Sequence, residues 1–479
     1  MSRTRNITNR ILKVVASSVL ALSGNLVWAA PGFSEFEPVV LNATQALSPD
    51  EAFLRTLFIL EQFGVPTEID SQPLLEELQA VQTPEEIKRV LPFLDLQKTF
   101  QRYVLFDTST GLMSAFQDPQ SRKVPDFSVQ LTDSPNSSFE PEFQKRLRAA
   151  AHNPKERPLA GLRIAIDPGH MGGNTWDQRT GKFIRSAKGQ VLSEGILTLQ
   201  TALLLESELV ALGAEVLLSR RTLNAVSPLE FTKFDLRDFA LEELRESSLQ
   251  DWFQALLNKA PAGETLYRAF QSSREVKQIF SDFMRSKYFI NRADLMARVN
   301  AIQPFSPDLT LIIHFDTLNS GPSNGVNPSG YNRTKAYVSG AFEKTEFASR
   351  EDRRYFAQHL LDPVTWNASV QLSSAVVTQI GRQLGIRPDA SGGSPSTRQV
   401  APGVFSRNLH LNRKITGAPV SYLECLFYND PTEFAALSNA KHPMRIDGVN
   451  HPYSDRLASL ANALRDAVLE FVRQSGDPR

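Results

Sequence analysis

Beyond about residue 160 the chain sets short apolar runs between longer stretches of helical period. Arg163 to Ile166 reads as a strand. Gly195 to Leu212 reads as an amphipathic helix with Ile196, Leu199, Leu203 and Val210 toward the core, ended by Gly213. Glu215 to Ser219, Leu309 to Ile313, Lys335 to Val338 and Val420 to Leu423 read as further strands. Ser454 to Gln474 closes the pattern as a helix with Leu457, Leu460, Leu464, Val468 and Phe471 on one face. Strands that are apolar along most of their length, joined by helices, predict an α/β fold: a twisted, mostly parallel sheet flanked by helices on both faces.

Before residue 160 the pattern is different. Residues 31–117 read as a small, mainly helical accessory module. Ser48-Pro49-Asp50-Glu51 has the form of a helix start stopped at Gly64, and Thr83-Pro84-Glu85-Glu86 repeats that form. Tyr103 to Phe116, with Asp107 to Gly111 in the middle, predicts two strands around a turn. Residues 118–159 are rich in Pro, Ser, Asp and Arg and read as a linker, with a short helix over Glu142 to Ala151. No chemistry-bearing spacing occurs in this part of the chain.

The first residues change the picture of where the protein works. Arg3, Arg5, Arg10 and Lys13 precede the apolar run Val14 to Leu22, and Val27-Trp28-Ala29 offers a small-residue cleavage site. Residues 1–29 are therefore expected to be a signal peptide, and the mature protein periplasmic, with release outside the cell as the wider alternative. The run is short for a membrane span, so no stable span is expected once the signal is removed; an uncleaved interfacial anchor is the plainer alternative. Lys+Arg and Asp+Glu both number 52, which argues against a nucleic-acid partner held by bulk charge. Cys425 is the single cysteine, so the fold uses no internal disulfide.

Candidate chemistry sits at the strand ends. Ile164-Ala165-Ile166-Asp167-Pro168-Gly169-His170 is an apolar strand that delivers a histidine, and Leu309-Thr310-Leu311-Ile312-Ile313-His314 is another. Ser193-Glu194 opens the helix between them. Two imidazoles and one carboxylate, placed at strand ends and at the head of a helix, could hold one zinc ion and leave it an open position. A lone histidine ending a strand is more often structural, and a first-turn glutamate is ordinary; the joint pattern carries the reading.

From Ile164 to Glu433 the chain resembles the zinc-dependent N-acetylmuramoyl-L-alanine amidases of the Amidase 3 type. The resemblance rests on five pieces in order. They are Ile166-Asp167-Pro168-Gly169-His170, Glu194, and Gly213-Ala214-Glu215-Val216-Leu217-Leu218-Ser219-Arg220. After these come Arg298 with Asp308-Leu309 and His314, and then Pro419-Val420-Ser421-Tyr422-Leu423-Glu424 followed by Asn429-Asp430-Pro431-Thr432-Glu433. It implies that residues 160–479 form a zinc amidase domain with His170, Glu194 and His314 as metal ligands and Glu424 as general base and acid. The substrate would be peptidoglycan, cut between the lactyl group of N-acetylmuramic acid and L-alanine of the stem peptide. A catalytically inactive, amidase-like binding or regulatory protein is one alternative, and a zinc peptidase on stem peptides another.

The chain departs from the family pattern at Met171, which separates His170 from Gly172-Gly173, and at Phe315-Asp316 after the second histidine. It also carries long helical insertions at 221–291 and 341–366. Some Gram-negative members of the family have a helix near the second place that occludes the zinc until a partner displaces it. By that resemblance 341–366, with Glu343, Glu346, Glu351, Arg353 and Arg354, is expected to gate the site with a glutamate near the metal, an activator protein acting upon it; a solvated surface helix is the alternative. Asp167 is a candidate orienter of a ligand or a turn cap. His410, in Asn408-Leu409-His410-Leu411-Asn412, reads as an edge strand, substrate-facing or solvated. Cys425 alternates to the face opposite Glu424 and reads as core. His152, His359, His442 and His451 have no supporting spacing.

Overall fold

The computed structural model describes residues 84–96, 98, 100–107, 110–116, 122–123, 125–131, 140–228, 231, 289–318, 325–342, 350–392 and 396–476. The expected signal peptide, the helix start at Ser48–Glu51 and most of the 221–291 insertion lie outside them. α1 (Pro84–Leu94) begins at the predicted Pro84 and buries Ile87, Val90 and Leu94. An antiparallel sheet follows: β1 (Val104–Asp107), β2 (Leu112–Phe116) and β3 (Pro125–Gln130). The first two form the expected hairpin. Gly111 takes φ +69° at its turn, a conformation glycine reaches without strain.

β3 lies inside 118–159, where the sequence predicts a linker, and its polar residues hid it. Ser114 and Ser128 share a 2.8 Å hydroxyl hydrogen bond across the β2–β3 ladder, so alternate positions there need no apolar side chain. α2 (Glu142–Ala150), which was expected, buries Phe143, Leu147 and Ala150 and packs on the last helix of the chain. The region is thus part of the folded body.

β4 (Arg163–Pro168) opens the central sheet. A short helix, α3 (Asn174–Thr180), and a ribbon of β5 (Phe183–Arg185) with β6 (Val191–Ser193) lead into α4 (Glu194–Ala211) and β7 (Glu215–Leu218). After the insertion come α5 (Leu295–Ile302), β8 (Leu309–Asp316) and β9 (Lys335–Ser339), then α6 (Arg350–Leu361) and α7 (Pro363–Leu384). The hairpin of β10 (Thr397–Ala401) and β11 (Val404–Arg407), α8 (His410–Lys414), β12 (Val420–Phe427), α9 (Pro431–Ser438) and α10 (Asp455–Ser475) complete it. Spatial order is β10-β11-β9-β12-β8-β4-β7. Pairings are parallel except β9 with β12 and β10 with β11.

The expected strands and terminal helix form for the expected reason. Leu457, Leu460, Leu464, Val468 and Phe471 of α10 are all buried, each worth about 1.5–3 kcal/mol of transfer. α4 and α7 cover one face of the sheet, with α10 packed over them, and α5 with α8 cover the other. There Val299, Ile302, Leu411 and Ile415 meet Ala165, Ile312 and Val420. α4 departs from its predicted stripe. Leu199 is buried as expected, but Val210 is 51% exposed, and Leu197, Ala202, Leu205 and Leu209 complete the buried side. Packed between the sheet and α10, α4 buries more than one narrow stripe.

The 341–366 segment requires a correction. Its described part is neither a detachable flap nor a solvated helix. Phe356, Ala357, Leu360 and Leu361 of α6 are fully buried, and α6 packs on α1. The Phe356 ring lies 4.1 Å from Phe100 and 5.2 Å from Phe342, and Phe342 N–H donates to Leu94 O at 2.8 Å. An activator would have to extract this helix from the core to use it as a gate. Glu343, Glu346 and the side chain of Glu351 lie outside the described parts.

Candidate metal centre

Three carboxyl-end segments build the site. β4 ends in Pro168, and Gly169 N–H donates to Ile313 O at 2.9 Å, tying the turn to β8. A side chain at Gly169 would run into the His314 ring, so glycine is required there. His170 then takes φ +54°, a left-handed conformation uncommon for a residue with a side chain and often found at functional sites. β8 carries His314, in register with Glu424 on β12. Glu194 opens α4. Ser193 does not cap that helix with its side chain; its hydroxyl donates to Asp177 Oδ1 at 2.6 Å, and Glu194 N–H donates to Lys182 O at 3.0 Å. Burial pushes the Asp177 carboxyl up to about 6 against that hydroxyl's pull.

The three predicted ligands converge. One ligand atom each from His170, Glu194 and His314 lie within 4.8 Å of one another. Glu194 Oε1 is 3.3 Å from His170 Nε2 and 3.2 Å from His314 Nδ1, and Phe315 N–H donates to it at 3.2 Å. The rings of His170 and His314 meet edge to face at 4.6 Å. Tyr422 stacks on His314 at 4.5 Å and 10°, fixing the ring plane. Burial lowers the His170 pKa and takes His314 down to about 4, which favours the neutral imidazole at both. Burial alone would raise Glu194. Its electrostatic coupling to His170, the charge of Lys182 and the imidazole hydrogen bonds outweigh it and hold the carboxyl well below its usual range. Neutral nitrogen and ionised oxygen are the forms that bind a metal.

Glu424 stands in a contrasting setting on the same sheet face. It is half-buried, yet its Oε2 is shielded from solvent and has no hydrogen-bond partner. Burial first, then the charges of Asp316 and Glu194, push its pKa well above the normal carboxylate range. Lys335 lies across the β9–β12 ladder from it but bonds elsewhere, to Asp316 Oδ2 at 2.6 Å and Asp389 Oδ2 at 3.2 Å. Lys182, half-exposed, brings its ammonium to 3.9 Å from Glu194 Oε2.

Other predicted residues fall elsewhere. His410 opens helix α8 instead of lying in a strand, with Nε2 3.2 Å from Met296 Sδ. Asp167 is fully buried and bonds Ser219 and Arg298, not the imidazoles. Cys425 is core, as alternation indicates, and burial pushes its thiol far up. Lys182, Lys335 and Arg220 escaped the sequence reading. Lys335 had a signal, since a lysine opening the apolar run Lys335-Ala336-Tyr337-Val338 needs a buried counter-charge. Lys182 had none.

No protein-family model matches the chain, and no curated protein does. Solved structures similar to it include the N-acetylmuramyl-L-alanine amidase Ami1 from Mycobacterium smegmatis, at 15% identity over 66% of this chain and 99% of that one, TM-score 0.35. The CwlD amidase from Clostridioides difficile, solved in complex with the GerS lipoprotein, is 12% identical over 65% and 98% of the two chains, TM-score 0.33. The N-acetylmuramoyl-L-alanine amidase AmiC2 of Nostoc punctiforme is 11% identical over 66% and 99%, TM-score 0.33. The chain resembles amidases of the Amidase 3 type in its ordered residues from Ile166 to Glu433, and what its site can do rests on the geometry of His170, Glu194, His314 and Glu424, not on these likenesses.

Proposed function

We propose that the protein is a zinc-dependent N-acetylmuramoyl-L-alanine amidase, exported to the periplasm and acting on peptidoglycan. One observation carries the reading: three metal-competent ligand atoms within 4.8 Å of one another, on the sheet face where Glu424 holds a shielded, unpartnered carboxylate oxygen. Among the described residues no helix is long and apolar enough to cross a membrane.

The donor set fits zinc. Two neutral imidazoles and one ionised carboxylate suit a borderline ion, and three protein ligands leave a fourth position open. When bound, zinc supplies Lewis-acid polarisation of the scissile carbonyl and acidifies water. The remaining steps belong to the chain. Glu424 accepts a proton at its free oxygen from the attacking water and returns it to the departing nitrogen of L-alanine. A C–O bond forms at the lactyl carbonyl, the C–N bond breaks, and a lactyl carboxylate and an amine result. A raised pKa suits both halves of that shuttle. Tyr422 keeps His314 in plane, and Phe315 N–H fixes the Glu194 oxygen that both imidazoles approach.

Digestion of purified sacculi by the mature protein, with products identified by mass, tests the reading. Release of intact stem peptides, abolished in Glu424→Ala and by a chelator, is the expected result. Trimmed stem peptides would instead mean a zinc peptidase. No release with zinc bound would mean a binding protein of amidase form.

A further inference from the structure

Two buried arginines lie beneath the metal centre without touching its ligating atoms. Arg298, 1% exposed, donates from Nη1 to Pro168 O at 2.7 Å and from Nη2 to His170 O at 3.1 Å. The same Nη1 meets both Asp167 oxygens at 3.1 and 3.2 Å, and Nε donates to Asp294 Oδ2 at 2.8 Å. Arg220, 4% exposed, donates from Nε to Pro168 O at 3.0 Å. Its Nη2 reaches Gly169 O at 2.9 Å, Gly195 O at 2.8 Å and Thr198 Oγ1 at 3.1 Å, and its Nη1 reaches Thr222 O at 2.7 Å.

The carbonyls chosen are what matters. Pro168, Gly169 and His170 are the three successive residues of the turn that carries the first imidazole in its left-handed conformation. Gly195 directly follows Glu194. Arg220 therefore bridges the segments of two ligands through one nitrogen, and Arg298 holds the ligand residue's own carbonyl. Beyond satisfying buried backbone oxygens, these donors fall on the two segments that carry His170 and Glu194. The planar guanidinium spreads five N–H donors over three nitrogens in a fixed fork and so reaches acceptors on several sides, whereas lysine's three donors share one nitrogen.

We propose that Arg298 and Arg220 are positioning residues that set metal affinity by preforming the His170 turn and locking it to the head of α4. Asp167 and Ser219 belong to the device, Asp167 accepting from both Arg298 and the Ser219 hydroxyl. The inference rests on the zinc reading above. Such outer groups, where they orient ligands, are worth about 10- to 100-fold in affinity.

The test is competitive zinc titration of the full mature protein below its melting temperature, with wild type beside Arg298→Lys, Arg220→Lys and the control Arg456→Lys. Arg456 makes an equally ionic contact, with Glu433, also donates to Leu384 O, and touches none of these carbonyls. Arg298→Lys and Arg220→Lys are expected to weaken zinc by about 10- to 100-fold and Arg456→Lys by less than about twofold. Cobalt in place of zinc should give an altered visible spectrum in the first two only, because absorption follows coordination geometry. Equal weakening in all three, or none in the first two, overturns the proposal. If the lysine variants do not fold, Ser219→Ala decides. A loss of about two- to tenfold, one hydrogen bond's worth, upholds it, and an unchanged affinity overturns it. Wild-type protein that binds no zinc overturns the metal reading itself, a separate failure.

Discussion

Two glutamates flank His314, one bonded to its ring and one in register with it on the next strand, and are treated in opposite ways. On the β4–α4 side Glu194 is saturated: two imidazoles, a backbone N–H and a lysine surround it, and it is held ionised. On the β9–β12 side Glu424 is left with a shielded oxygen that nothing meets, and its pKa is driven up. Lys335, the nearest cross-strand cation, is engaged by Asp316 and Asp389 instead. The pair shows how burial alone does not set a carboxylate's role. A buried carboxylate surrounded by donors becomes a fixed anion fit for a metal, whereas one deprived of donors becomes a group that takes up and gives back a proton.

The largest effect that separates the two is on turnover. Glu424→Gln should lower hydrolysis of sacculi by about 10²- to 10⁴-fold while zinc affinity stays unchanged, both measured on the same preparation. Loss of zinc in that variant would erase the distinction between the two glutamates. In wild type the rate should rise as pH climbs through the elevated Glu424 value, since the base must start ionised; a rate flat from acid to neutral pH would contradict the shift. Next in size is Glu194→Gln. It removes a ligand, so zinc should weaken by more than the roughly 100-fold that outer groups command. Retained affinity would show that Glu194 is a structural acid.

A third effect is on stability, with the sign opposite to the usual one for a carboxylate. Because Glu424's folded-state pKa lies above its unfolded value, its contribution is fully present in acid. It is lost as pH rises from the unfolded value through the folded one. Glu424→Gln should therefore melt a few degrees higher than wild type at pH 8 and no higher at pH 4, in metal-free protein followed by circular dichroism. A uniform change at both pH values would mean that ionisation is not the cause.

How far the comparison could be read from sequence follows from what each side is built of. β4, β8 and β12 are buried on both faces, so Ile164-Ala165-Ile166 is wholly apolar, Leu309 to Ile313 is broken only by Thr310, and both name themselves as strands. Their ends then name His170 and His314. Glu424 was visible for a related reason, a charge in an apolar run. The hairpin of β10 and β11 was not, because Thr397, Arg398 and Gln399 lie at the sheet edge and have no core face to fill. α7 was missed although Asp362-Pro363 is a helix start; Asp362 accepts from Thr365 N–H at 3.0 Å, but Ser369, Ser373, Ser374 and Gln379 blur the apolar period. His410 misled because an alternating five-residue run fits a strand as well as one turn of helix. The Lys335 network depends on Asp389, more than fifty residues away, and no local pattern reports such a pairing.

The smallest expected effect concerns Lys182, the lysine or arginine within 4.0 Å of the saturated glutamate among the described residues. Its ammonium lies 3.9 Å from Glu194 Oε2 and its side chain is 46% exposed, so water screens the pair heavily and the attraction is worth no more than about 1 kcal/mol. In metal-free protein Lys182 helps to hold Glu194 ionised. With a divalent ion bound the same ammonium repels it, and the two roles have opposite consequences for affinity. If the repulsion is the larger, Lys182→Met should tighten zinc by about two- to fivefold, an effect that shrinks as salt is added. Competitive titration at low and high ionic strength measures it. Weaker binding in the variant would reverse the ranking and make Lys182 a support of the ligand set, leaving the β4–α4 side dependent on a half-exposed cation as well as on its buried donors.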